Sequence, residues 1–141
     1  MIILLVLLIK VAIRDIKERT VSHSDLLWLT GILLLGWFWH VNIAVWPYTL
    51  GIVVVGFGLF CLGILGAGDT KLLAVLSLGV SPVFMPIMLY SLVFLGGILA
   101  VGYLLYGLAT DLAKVRQKGI PYAVPISVVG GAFIFLSYIA R

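Results

Sequence analysis

"YTLGIVVVGFGLFCLGIL" (residues 48–65) and "LLAVLSLGV" (residues 72–80) contain no charged side chain, and "GAGDTK" (Gly66–Lys71) stands between them. The two flanks are oily; the insert holds an acid, a base and two glycines. In a water-soluble domain the insert would be a surface turn. Between two spanning helices it would be a charged site at the edge of a bilayer. Composition decides between these readings. Of the 141 residues, 64% are hydrophobic and 10% charged, and mean hydropathy is +1.30. A soluble domain carries roughly 25% charged residues. This chain lacks the polar side chains to cover a surface facing water, so it is expected to be an integral membrane protein.

A spanning helix needs about 20 mainly apolar residues. Apolar runs separated by charge, Gly and Pro predict six segments: residues 2–18, 24–45, 48–65, 69–80, 83–108 and 123–140. The expected fold is an all-α bundle of six transmembrane helices in one domain over residues 1–141. The fourth segment is short and is broken by Ser81-Pro82. The first is read as a retained helix, because its basic residues follow the apolar run instead of preceding it.

Charge sets the orientation. With the N-terminus outside, Arg14, Lys17, Arg19, Lys71, Lys114, Arg116 and Lys118 all fall on the cytoplasmic side. The outer connections near Val41–Pro47 and at Ser81-Pro82 carry no basic residue, which is the positive-inside pattern. Trp37, Trp39, Trp46 and Tyr48 gather at one outer edge, as an aromatic belt would. The net charge of +4 therefore reads as orientation and contact with anionic lipid, and no nucleic-acid partner is expected. The single Cys61 excludes an internal disulfide and is read as a small packing residue. Without a C-x-x-C pair or a histidine cluster, no metal site is expected.

Five acids remain to be explained. Asp25 closes "SHSD" (Ser22–Asp25) ahead of an apolar run and fits a capping box. Glu18 follows Arg14 by four residues and suits a helix-surface pair. Asp111 opens "DLAKVRQK", a polar connection. Lys10, inside the first helix, is read as snorkelling to an interface. Asp15 lies toward the C-terminal end of the first helix, where the helix dipole disfavours an anion. Arg14, Lys17 and Arg19 are the nearby cations that would offset this. Asp69 is a candidate cap for the fourth helix, yet an ionisable group at membrane depth is costly and marks function by default. Gly66 and Gly68 would let a neighbouring helix or an extended peptide approach closely.

Asp15 ends an in-going helix and Asp69 begins an out-going one, so side-by-side packing brings two carboxyls together at the inner interface. Two close carboxyls do not both ionise without penalty. Sharing one proton, such a dyad activates water as a base and protonates a leaving amine as an acid. That chemistry hydrolyses peptide bonds without metal, cofactor or nucleophilic side chain. Lys71 faces headgroups or helps to bind an acidic substrate residue.

These segments resemble the type IV prepilin leader peptidases, which are intramembrane aspartyl proteases. "GAGDTK" matches that family's G-x-G-D-x-K motif. "RDIKERTVSHSDLLWL" (Arg14–Leu29) resembles its first-aspartate region, and "KGIPYAVPI" (Lys118–Ile126) resembles the Gly-x-Pro-Tyr-Ala segment that opens its last helix. The resemblance spans nearly the whole chain. It departs at Val21-Ser22-His23, where the family has an Ile-Pro-Asn-like turn. Nothing matches the cysteine-containing domain of the larger members, so the resemblance is to the short, peptidase-only members serving tight-adherence (Flp-type) pili. It implies removal of a short leader from prepilins and pseudopilins at the cytoplasmic face of the bacterial inner membrane. Asp15 and Asp69 would be catalytic, and Gly66, Gly68, Lys71, Pro121 and Tyr122 would line the substrate cleft. The implied partners are these precursors, the lipid bilayer and other pilus assembly components. A different reading makes the chain a small transporter or channel subunit with Asp15 and Asp69 as proton or cation sites. That reading predicts an internal repeat or a polar stripe through the membrane, and no repeat is visible.

Overall fold

A computed structural model describes residues 2–18, 21–39, 43–63, 65–110 and 121–140. Every regular element among them is helical. Helix α1 covers Ile2–Glu18, α2 His23–Trp39, α3 Trp46–Cys61, α4 Ala67–Ser77, α5 Met85–Ala109 and α6 Ala123–Ile139. Short 3-10 turns at Ile43–Val45 and Pro82–Phe84 lead into α3 and α5. With those lead-ins, the third and fifth helices are 19 and 28 residues long, apolar and long enough to cross a membrane. The remaining helices are shorter. The 11 residues of α4 rise roughly 16 Å, about half the thickness of a hydrocarbon layer. The second predicted segment is divided: α2 ends at Trp39, and Ile43–Val45 belongs to the entry of α3.

The ends of the helices have local causes. Pro47 and Pro86 stand in the first turns of α3 and α5, where a missing N–H leaves nothing unpaired. Gly63, at φ +69°, turns the chain out of α3 in the left-handed conformation, and its N–H bonds the Phe60 carbonyl at 2.9 Å.

Contacts between helices give their directions. Leu8 lies against Gly131 and Asp15 against Ala123, so α1 and α6 are antiparallel. Thr70 meets Gly56 and Thr49 meets Ser77, so α3 and α4 are antiparallel. Leu76 meets Gly130 and Ser81 meets Ser137, so α4 and α6 run parallel. Val21 meets Gly68 and Leu33 meets Gly79, so α2 also runs with α4. Phe84 stacks near Phe133 and Tyr122 lies on Gly96, which makes α5 antiparallel to α6. The chain is thus an up-and-down bundle. The two central helices are α4, touching α2, α3 and α6, and α6, touching α1, α4 and α5.

Leu29, Leu72, Leu76, Met85, Met88 and Ile126 are fully buried between the helices. The outward faces are equally apolar: Val53, Val54, Phe57, Val93 and Phe94 are exposed. Helices apolar on every face lie in the core of a large protein or face hydrocarbon, and exposed apolar faces such as these are consistent with a membrane helical protein. In that setting burial of apolar surface gives no drive to association, so close backbone approach and polar contacts take its place. Thr49 and Ser77 share a hydrogen bond of 2.8 Å, and the Ser81 N–H donates to Ser137 Oγ at 2.9 Å. Cys61 is exposed at the end of α3 and is no packing residue. The side chains at positions 37 and 39, and Arg19, Asp111, Lys114, Arg116 and Lys118, lie outside the described residues.

Candidate active site

Leu4, Leu8, Val11 and Asp15 form the buried stripe of α1, and that stripe faces α6. Helical spacing therefore carries Asp15 into the same seam as the leucines, and it is only 5% exposed. Its Oδ2 accepts a hydrogen bond of 3.2 Å from the Ala123 N–H. Ala123 is the first residue of α6, which has no side-chain cap of its own. The first-turn N–H groups of a helix are unpaired and form the positive end of its dipole. A buried carboxylate from α1 thus serves as the acceptor at the start of α6. Of the neighbouring cations, Arg14 pairs with Glu18 (3.0 Å) and Asp25 (3.2 Å), and Arg19 lies outside the described residues.

Asp69 is the third residue of α4, after the extended N-cap Gly66. Its carboxylate bends back to accept from the Gly66 N–H, one half of a capping box. A Cβ at Gly66 would stand 2.8 Å from Asp69 Oδ2, so the first glycine of the motif makes room for the carboxylate itself. A Cβ at Gly68 would meet the Val21 side chain at 3.2 Å. The second glycine makes room for the turn between α1 and α2. Asp69 is half-buried, and the charge of Asp15 acts on it. Two acids 54 positions apart (69 − 15) therefore share the end of the bundle where α1 finishes and α2, α4 and α6 begin.

Tyr122 is half-buried and Pro121 buried; the Tyr122 ring lies 3.4 Å from a Cβ position at Gly96. Tyr122 and Thr70 border an apolar cleft of about 540 Å³ whose walls are α3 and α5 and whose floor is α4 and α6. Leu59, Leu73, Gly97 and Ile126 also line it. Lys71 is exposed and faces another groove, of about 330 Å³, shared with His23, Leu27 and Val53. The structure thus places Tyr122 next to the Ala123 N–H that Asp15 accepts from, and Lys71 on the groove shared with His23, Leu27 and Val53.

One cluster escapes the local reading of the sequence. Asp25, expected as a cap, is 1% exposed, and both of its oxygens reach across to α1. Lys10 Nζ lies 2.6 Å from Oδ1 and Arg14 Nη1 3.2 Å from Oδ2. Lys10 has a partner instead of snorkelling alone. The available signal was the spacing of Lys10, Arg14 and Glu18, which share one stripe of α1.

A sequence model of the type IV leader peptidase family matches residues 2–136, an interval that includes Asp15, Asp69 and Tyr122. No curated protein and no solved structure matches the chain.

Proposed function

The chain belongs to the type IV leader peptidase family, and from that premise we propose that it is a membrane-embedded aspartyl endopeptidase cutting type IV prepilins and pseudopilins. What supports this reading is that Asp15 and Asp69 stand at the same end of the bundle, close enough for the charge of one to act on the other. A water between the two carboxyls loses a proton to one of them and adds to the scissile carbonyl. The other carboxyl, protonated, gives its proton to the leaving amine as the C–N bond breaks. The leader junction lies extended beside Gly66–Asp69, with Pro121 and Tyr122 on its far side. The hydrophobic segment after the cut lies in the apolar cleft between α3 and α5, with Lys71 toward headgroups.

The six helices all span the inner membrane in this reading, with the N-terminus outside and the acids at the cytoplasmic edge. The distribution of basic residues supports that orientation. Precursors of the Flp type are the proposed substrates. No interval between successive described helices exceeds the 13 residues of 110–122 (122 − 110 + 1), which is too few for an inserted cysteine-containing domain.

Co-expression with a candidate Flp-type precursor tests the proposal through the precursor's shift in size. Asp15→Asn and Asp69→Asn are each expected to abolish the shift while the protein stays in the membrane. Normal processing by either variant removes the dyad.

A further inference from the structure

Helix α1 addresses two neighbours at once. Its stripe of Leu4, Leu8, Val11 and Asp15 meets α6, and its stripe of Lys10 and Arg14 meets Asp25 on α2. Arg14 and Asp15 are successive residues, so their side chains leave the helix about 100° apart. Apolar side chains of α1 and α2 do not by themselves prefer one register in hydrocarbon. Two cations one turn apart, gripping the two oxygens of a single buried carboxylate, do prefer one. A buried ion pair of this kind is better suited to specifying an arrangement than to adding stability.

The turn between α1 and α2 has no proline to fix its course. Val21 leaves that turn one helical turn before Asp25 and presses on Gly68, the residue before Asp69. On the reading that Asp15 and Asp69 are the catalytic dyad, we propose that Asp25 is a positioning residue: held by Lys10 and Arg14, it fixes the turn that seats Val21 on Gly68 and thereby sets Asp69 against Asp15. Contacts through α6 tie α1 to α4 from one side, and the Asp25 cluster with Val21 ties them from the other.

The test joins kinetics to a cross-link that needs no activity. Asp25→Asn keeps the shape of the side chain and removes its charge. It is expected to lower kcat on a precursor roughly 10- to 100-fold, as a small misplacement of reacting groups does, with KM within about twofold of the parent's. In a Cys61→Ser background, Val21→Cys with Gly68→Cys should oxidise readily to a disulfide, and adding Asp25→Asn should slow that reaction. Lys10→Met, which leaves the Arg14 contact, should shift both readouts in the same direction by less. It is the variant to read should Asp25→Asn fail to insert. A fall in kcat with unchanged cross-linking, or an unchanged kcat, overturns the inference. Failure of the parent protein to process any precursor overturns the peptidase reading instead, and the cross-link still reports whether Asp25 holds the turn.

Discussion

At Gly66 a hydrogen atom in place of a methyl group lets Asp69 fold back onto the start of its own helix. The backbone there, at φ −73° and ψ 146°, suits any residue, so the requirement for glycine comes from the carboxylate and not from strain. Gly66→Ala is expected to push Asp69 off the Gly66 N–H and to slow precursor cleavage by roughly tenfold or more. The helix itself should lose no more than about 1 kcal/mol. Single-turnover cleavage set beside thermal unfolding in detergent separates these effects; a parental cleavage rate would show that the back-folded carboxylate is not needed. Asp15 and Asp69 stand out in the sequence as candidates because an acid in an oily chain needs a reason. Asp25 was misread because the local pattern Ser-x-x-Asp imitates a cap, while its real partners lie on the preceding helix, 15 and 11 positions away.

Among the elements, α4 is short and central, and its neighbours reach it by close contact. Thr70 Oγ1 donates to the Gly56 carbonyl at 3.3 Å, and a Cβ at Gly56 would collide with the Thr70 side chain. While α3 is drawn tightly onto α4 there, α5 is held by α6, and the two long helices stay apart above the cleft. Gly97 lines that cleft with nothing within 4 Å of a Cβ position. Gly97→Leu should therefore fill the cleft without disturbing the bundle. The expected result is a severalfold rise in KM for the precursor, with kcat and unfolding temperature close to the parent's. An unchanged KM would mean that the substrate's hydrophobic segment lies elsewhere. The six helices were predictable as elements from apolar runs, but their ends were less so, because Ile43–Val45 forms the 3-10 entry into α3 ahead of Pro47, which hydropathy does not mark.

Across the whole molecule, the up-and-down arrangement gathers the N-terminal ends of α2, α4 and α6 at one end of the bundle. Each of these ends has a carboxylate: Asp25 in the first turn of α2, Asp69 in the first turn of α4, and Asp15 on the first N–H of α6. Three positive dipole ends favour anions where a hydrocarbon surrounding would not. The proposed orientation turns that end to the cytoplasm. In a Cys61→Ser background, Lys17→Cys should react with a membrane-impermeant thiol reagent only after the inner membrane is opened. Val83→Cys, exposed at the opposite end, should react from outside in spheroplasts. The reverse pattern of labelling would move cleavage to the other face.

Composition alone pointed to an all-helical chain for an apolar surrounding, and the rarity of acids in it marked Asp15 and Asp69 as candidates, because every charge in such a chain needs a reason. Which groups answer those charges was decided only by the tertiary packing. One partner of Asp15 is a backbone N–H 108 positions away, and the space beside Gly68 belongs to Val21 from a different helix junction. Sequence patterns report what lies within a turn or two of helix; electrostatic and steric partners are set by which helices lie side by side, and that follows from the packing of the whole bundle.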